Sequence, residues 1–108
     1  MLYELRIYHI NSGKMPDIHK RFSEVTLGLF KKHNIHVCDF YEDANDGEKL
    51  YYVCAYKDRE SRDASFDAFV NDPEWKAVYA TSRANGPIVD KVESHFMNRV
   101  PYVTPDFI

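Results

Sequence analysis

Residues 2–10 alternate between Leu2, Glu4, Arg6 and Tyr8 on one side and Tyr3, Leu5, Ile7 and His9 on the other, the period of two that a strand requires. Asn11-Ser12-Gly13 breaks that strand. From Lys14 the apolar positions Met15, Ile18, Phe22, Val25 and Leu29 recur at steps of three and four, which predicts an amphipathic helix to about His33. Residues 35–42 and 49–56 are β-rich runs separated by Asp43-Ala44-Asn45-Asp46-Gly47-Glu48, a cluster of turn formers, so a hairpin is expected. Asp58 or Ser61 can cap a helix through Phe66, Phe69 and Val70. Asp72-Pro73-Glu74 then repeats the start signal, with Asp as N-cap and Pro at the first helical position. The second helical region is therefore expected in two pieces, the latter carrying Trp75, Val78 and Tyr79 and ending near Asn85-Gly86-Pro87. Residues 88–97 read as a last strand. The tail from Val100 to Ile108, with Pro101 and Pro105, is expected to be extended and free to pack onto a neighbour.

Strand, helix, strand, strand, helix, strand is the order of the ferredoxin-like βαββαβ fold, an α+β class with a four-stranded antiparallel sheet and helices on one face. Strands apolar on both faces would leave a large apolar surface on a lone chain, and such a patch implies an association partner. A homodimer is expected, its two sheets facing each other across a two-fold axis and closing a barrel between subunits.

Composition narrows the class. The chain has 108 residues, 44% hydrophobic and 29% charged, enough to bury roughly two thirds of its unfolded surface without a disulfide or metal. One domain over residues 1–108 is expected. The 15% aromatic share includes eight Tyr, a residue suited to cavities and interfaces because an apolar ring carries a hydroxyl that seeks a partner. The net charge of −3 speaks against a nucleic-acid partner. Glu4 and Arg6 interrupt the apolar N-terminal run, which neither a signal-peptide core nor a membrane span tolerates. Cys38 and Cys54 are too few for a secreted scaffold and form no Cys-x-x-Cys pair, so a cytoplasmic setting is expected. A turn centred near Asn45-Asp46-Gly47 sets Cys38 close to Cys54 on the helix-facing side, where both are expected as free thiols because a cross-strand bridge strains the bond.

Several residues together resemble a known family. The opening Tyr3-Glu4-Leu5-Arg6-Ile7-Tyr8, Gly13-Lys14 entering the first helix, Tyr56 followed by Arg62, Ala68-Phe69 and Asp72-Pro73-Glu74-Trp75 are similar to the NIPSNAP family. Glu93-Ser94 and the Thr-Pro-Asp-Phe tail resemble its C-terminal end. No one of these motifs is specific; their ordered set over nearly the whole chain is. The resemblance implies a dimeric α/β barrel, in a superfamily that includes cofactor-free monooxygenases, small-molecule isomerases and haem-dependent enzymes. The family itself has no settled activity. Asp39 stands where the family's second strand has Gly. The chain also lacks the N-terminal extension of the mitochondrial members, which implies a bacterial cytoplasm.

Because an ionised group buried without a partner is very costly, charged strand residues are expected to point away from the helices. Glu4, Arg6 and Tyr8 then look into the barrel, with Val37, Asp39 and Tyr41 from the second strand, Tyr51 and Val53 from the third, and Glu93 and His95 from the fourth. Leu5, Ile7, Cys38, Phe40, Val92, Ser94 and Phe96 pack under the helices. Such a cavity has the character of a small-ligand site, mostly apolar with convergent polar groups. Glu4, Arg6, Tyr8, Asp39, Tyr41, Tyr51 and His95 are its candidate binding residues. His95 or Asp39 could serve as general base, and Arg6 as stabiliser of an oxyanion or a substrate carboxylate. The plainer alternative is that Glu4 and Arg6 pair with each other or across the dimer.

His33-x-x-His36 with Cys38 has no fourth ligand at matching spacing, so no metal is expected. No phosphate loop or dinucleotide fingerprint is present, and no cofactor is expected. Trp75 reads as a core or interface anchor before a ligand platform, and Arg62 as a structural pair at a helix start before a phosphate binder. The leading expectation is a homodimeric NIPSNAP-like protein that binds a small molecule in the barrel cavity. The alternatives are a cofactor-independent monooxygenase or isomerase acting on a small aromatic or carbonyl substrate, and a protein-interaction module with a filled barrel.

Overall fold

The computed structural model describes residues 1–104. In chain order it contains β1 (Leu2–Ile10), α1 (Met15–Arg21), a π-helical segment (Phe22–Thr26), α2 (Leu27–Lys32), β2 (His36–Glu42), β3 (Lys49–Tyr56), α3 (Arg59–Val70), α4 (Pro73–Ser82) and β4 (Val89–Met97). The strands form one antiparallel sheet ordered β2-β3-β1-β4. This is the expected ferredoxin-like α+β arrangement, with β1 and β3 in the centre.

The first helical region differs from its expected regularity. A continuous helix carries one π turn, in which the Leu27 N–H bonds to the Phe22 carbonyl. The buried Thr26 hydroxyl donates to the Arg21 carbonyl at 3.1 Å, satisfying a backbone acceptor that the wider turn displaces. Hydrophobic spacing does not register this hydroxyl. The helix ends with Asn34 at φ 60°, while Ile35 N–H bonds to the Phe30 carbonyl at 2.8 Å, a left-handed stop that returns Ile35 to the core.

Asp58 caps α3 by accepting from Ser61 N–H at 2.7 Å, and Asp72 caps α4 by accepting from Glu74 N–H at 2.9 Å. The helix α4 stops at Ser82, before the Asn85-Gly86-Pro87 signal; Gly86, at φ 110°, instead shapes the turn into β4. The core packs Ile18, Phe22, Leu29, Phe30 and Phe69 from the helices against Leu50, Tyr52 and Cys54 of β3. Phe22, on the π segment, is an aromatic hub, 4.9 Å from Phe40, 5.4 Å from Tyr52 and 5.7 Å from Tyr8 between ring centroids.

A bulge in β2 corrects the cysteine geometry. Val37 faces Cys54 and Asp39 faces Val53, so Cys38 is the extra residue. It is exposed, whereas Cys54 is buried, and both are free thiols. The bulge also turns Val37 onto the helix-side core, where the alternation had Cys38. Burial pushes the Cys54 thiol up to about 12. A thiol reagent is expected to label Cys38 first in the native protein and Cys54 only as the chain unfolds. Mass spectrometry of partly labelled protein checks this, and equal labelling of both sites would contradict it.

Just after β4 the Arg99 guanidinium lies 4.8 Å from the Tyr3 ring centre, and where the sequence predicts an extended tail the chain makes a turn at Pro101-Tyr102. The rest of the expected tail, residues 105–108, lies outside the described residues. Among the described residues no helix is long and apolar enough to cross a membrane.

Candidate functional site

The faces of β1 are the reverse of those expected. Glu4, Arg6 and Tyr8 lie on the helix side, and Leu5 and Ile7 lie on the open face of the sheet. The pairings show it: Glu4 is opposite the buried Cys54 and Arg6 opposite the buried Tyr52, whereas Leu5 faces Val53 and Ile7 faces Tyr51. The penalty for burying charge applies to an unpartnered group, and Glu4 is fully partnered.

Glu4 has no exposed surface. Arg62, delivered by the first turn of α3, grips it with two bonds of 3.0 Å each; Arg6 Nη1 donates at 3.0 Å and the Ser94 hydroxyl at 2.6 Å. Burial alone would push the carboxyl up, but the hydrogen bonds from Arg62 and Ser94 and the charge of Arg6 outweigh it and hold Glu4 below its ordinary value. Arg62 is thus the structural pair that its position suggested, with a partner on β1.

Arg6 also donates from Nε to the Tyr52 hydroxyl at 2.7 Å, and the Tyr52 and Tyr8 hydroxyls lie 3.0 Å apart. Burial pushes the Tyr52 hydroxyl well above its ordinary value. Burial works against the Arg6 charge too, but Tyr52, Tyr8 and Glu4 more than compensate and raise its pKa. Glu4, Arg6 and Tyr52 each hold one protonation state through the neutral range, which suits binding better than proton transfer.

Beside this network the helices do not close onto β4. A cleft of about 260 Å³ opens there, bordered by Arg6, Tyr8, Arg21, Phe66, Trp75 and Tyr79, with Val92 at its mouth. Val70, Tyr79 and Val92 at the rim are exposed apolar residues, and α4 has no fully buried residue. Trp75 is part of this wall as well as a core contact, 4.7 Å from Phe69 between centroids.

The remaining candidates sit on the open face. Asp39 accepts from the Tyr41 hydroxyl at 2.5 Å and from Phe40 N–H at 2.8 Å, which hold its carboxyl below the ordinary range. Tyr51 pairs with Tyr41 across the hairpin and donates to Asp43. Glu93 lies 2.5 Å from His9 and 3.5 Å from His95. Within one chain the sheet therefore separates Glu4, Arg6 and Tyr8 from Asp39, Tyr41, Tyr51 and His95. Neither His95 nor Asp39 shares a cavity with Arg6, so the acid–base set expected from the sequence is not assembled. Ser94 lies under the helices and Glu93 and His95 on the open face, as alternation placed them. Among the described residues no cluster of three His, Cys, Asp or Glu side chains could hold a metal; His33 bonds instead to Asp72 at 2.7 Å.

Sequence reasoning passed over Arg21, which is only 7% exposed. A signal was present: Arg21 is three residues after Ile18 and four before Val25, so it falls on the apolar stripe of its helix.

A four-stranded antiparallel sheet with a charged network and an aromatic cleft beneath its helices defines a ferredoxin-like α+β protein. The NIPSNAP family model matches residues 3–104, and the chain belongs to the NIPSNAP family. An uncharacterised NIPSNAP domain protein from Burkholderia xenovorans superposes with a TM-score of 0.82 at 26% identity, covering 98% of this chain and 100% of that one. A NIPSNAP family protein of unknown function from Agrobacterium tumefaciens superposes with a TM-score of 0.83 at 16% identity, covering 95% and 91%. A protein from Nitrosomonas europaea, described as a candidate antibiotic biosynthesis monooxygenase, shares the fold with a TM-score of 0.66 at 11% identity, covering 93% and 99%. No curated protein matches the chain significantly.

Proposed function

We propose that this single-domain NIPSNAP protein is a cytoplasmic homodimer that binds a small molecule in the cleft between its helices and sheet. One observation carries the binding reading: an open, aromatic-walled cleft of about 260 Å³ is lined by Arg6 and Tyr8 beside the buried charged network. That volume is at or just below the lower end of ligand sites, about 300–1,000 Å³, and suits a one-ring compound. The site therefore belongs to each chain and not to a barrel between chains. Native mass spectrometry of protein purified from its own host tests this: a retained small molecule is the expected result. An empty cleft in every preparation, with no thermal stabilisation by a library of one-ring compounds, would count against it.

The homodimer is supported by the reversed faces of β1. With the polar row inside, the row left on the open face is Tyr3, Leu5 and Ile7, flanked by Tyr51, Val53 and Met97. This apolar strip, edged by Asp39, Tyr41, Glu93 and His95, suits a second copy of the same surface. Sedimentation at micromolar concentration is expected to show two subunits, and Ile7→Glu to shift the species to monomer. A wild-type chain that sediments as a stable monomer would remove the dimer.

The Tyr8–Tyr52 hydroxyl pair polarised by Arg6 favours a second reading, a cofactor-independent monooxygenase or isomerase in which the Tyr8 hydroxyl stabilises a developing oxyanion. Turnover of the retained molecule, lost in Tyr8→Phe while binding persists, would select it.

A further inference from the structure

We propose that Arg21 is the anchor for a carboxylate, so that the occupant of the cleft is a small organic monoanion with a planar apolar body. The inference rests on the cleft being a ligand site and assigns the chemical class of its occupant.

Arg21 is more than nine-tenths buried, yet among the described residues no carboxylate pairs with it. Its one side-chain hydrogen bond goes to the neutral Ser82 hydroxyl, at 3.2 Å. The guanidinium instead lies 5.2 Å from the Trp75 ring centre and 5.4 Å from that of Tyr79. Aromatic faces compensate a cation only in part. A like charge stands nearby as well, because Arg83 contacts the same Tyr79 ring at 4.9 Å. Burial lowers the pKa of Arg21; Tyr8 and Tyr79 offset that only in part and Arg83 adds to it, although an arginine remains charged at neutral pH. A buried charge without a counter-charge is costly, and an arriving anion removes that cost.

Arg6 differs: it already shares the Glu4 carboxylate with Arg62, whereas Arg21 has no carboxylate partner among the described residues. A guanidinium fork fits a carboxylate, and the glycine-rich backbone loop that usually cradles a phosphate is not part of the cleft. Phe66, Trp75, Tyr79 and Tyr8 supply flat faces for a ring or a conjugated chain.

The test pairs carboxylates with neutral amides of the same shape: phenylacetate against phenylacetamide, and benzoate against benzamide, on the purified full-length protein by calorimetry and thermal shift. Each carboxylate is expected to bind at least about tenfold more tightly than its amide, in line with a charged hydrogen bond. Arg21→Met is expected to abolish that preference while leaving the ligand-free melting temperature unchanged or higher, since it removes an unpaired buried charge. Arg21→Lys should keep a weaker preference, because the charge remains and the two-pronged geometry is lost. Equal binding of acid and amide by the wild type would overturn the anchor and leave the cleft standing as a neutral-ligand site. An unaltered carboxylate preference in Arg21→Met would also overturn it. Failure of all four compounds to bind, together with an empty cleft in native mass spectrometry, would overturn both readings.

Discussion

Glu4→Ala is expected to destabilise the fold by about 3–5 kcal/mol, the cost of breaking a buried ion network by removing one partner. Two guanidiniums and the Ser94 hydroxyl all converge on this carboxylate; without it Arg6 would keep only the Tyr52 hydroxyl and Arg62 only Asp63 as side-chain acceptors. At about 4–8 °C per kcal/mol for a domain near this size, the melting temperature falls by more than about 10 °C. Arg6→Met is milder, because Arg62 still holds both carboxylate oxygens. Glu4→Gln separates charge from shape. The folded-state pKa of Glu4 lies below its ordinary 4.5, so its stabilisation is complete above that value and is lost as pH falls through the lowered one. Urea unfolding of wild type and Glu4→Gln should therefore differ most at neutral pH and converge in acid. A difference that stays constant from neutral pH to pH well below 4.5 would show that charge is not what the network contributes.

Phe22→Ala is expected to cost a similar amount, about 3–5 kcal/mol, from lost burial and the cavity left behind. The Phe22 ring contacts Tyr8, Phe30, Phe40 and Tyr52, so one truncation loosens the π segment, the sheet and the hydroxyl pair beside the cleft. Ligand affinity should fall along with stability, because Tyr8 loses the ring that orients it. Denaturant unfolding at a fixed protein concentration, which matters if the chain dimerises, measures the first effect and calorimetry the second. A loss below about 1 kcal/mol would mean that the neighbouring rings collapse into the space.

Much of this fold was legible because it depends on local periodicity. The alternation at 2–10, the turn cluster at 43–48 and the Asp72-Pro73-Glu74 start signal are each set by neighbours in the chain. The observed strands, the hairpin and the two-piece helical region follow them closely. Where something other than hydrophobic period entered, that period was not enough. The π turn, whose displaced Arg21 carbonyl takes the Thr26 hydroxyl, and the extra residue at Cys38, which shifts the register of β2, leave no mark in it.

The candidate site divides the same way. Sequence alone established that Glu4 and Arg6 share a strand face and that Glu93 and His95 share another, since side-chain direction follows from backbone period. It could not determine which face of β1 meets the helices. That choice depends on the energy of a charge in its final surroundings, and the surroundings of Glu4 include Arg62, which is 58 residues away along the chain. Only the tertiary structure brings that guanidinium to Glu4, turning a prohibitive burial into a satisfied one. The same packing brings Arg21 of α1 against Trp75 and Tyr79 of α4 around one cleft, a meeting of two helices that no spacing along the chain encodes.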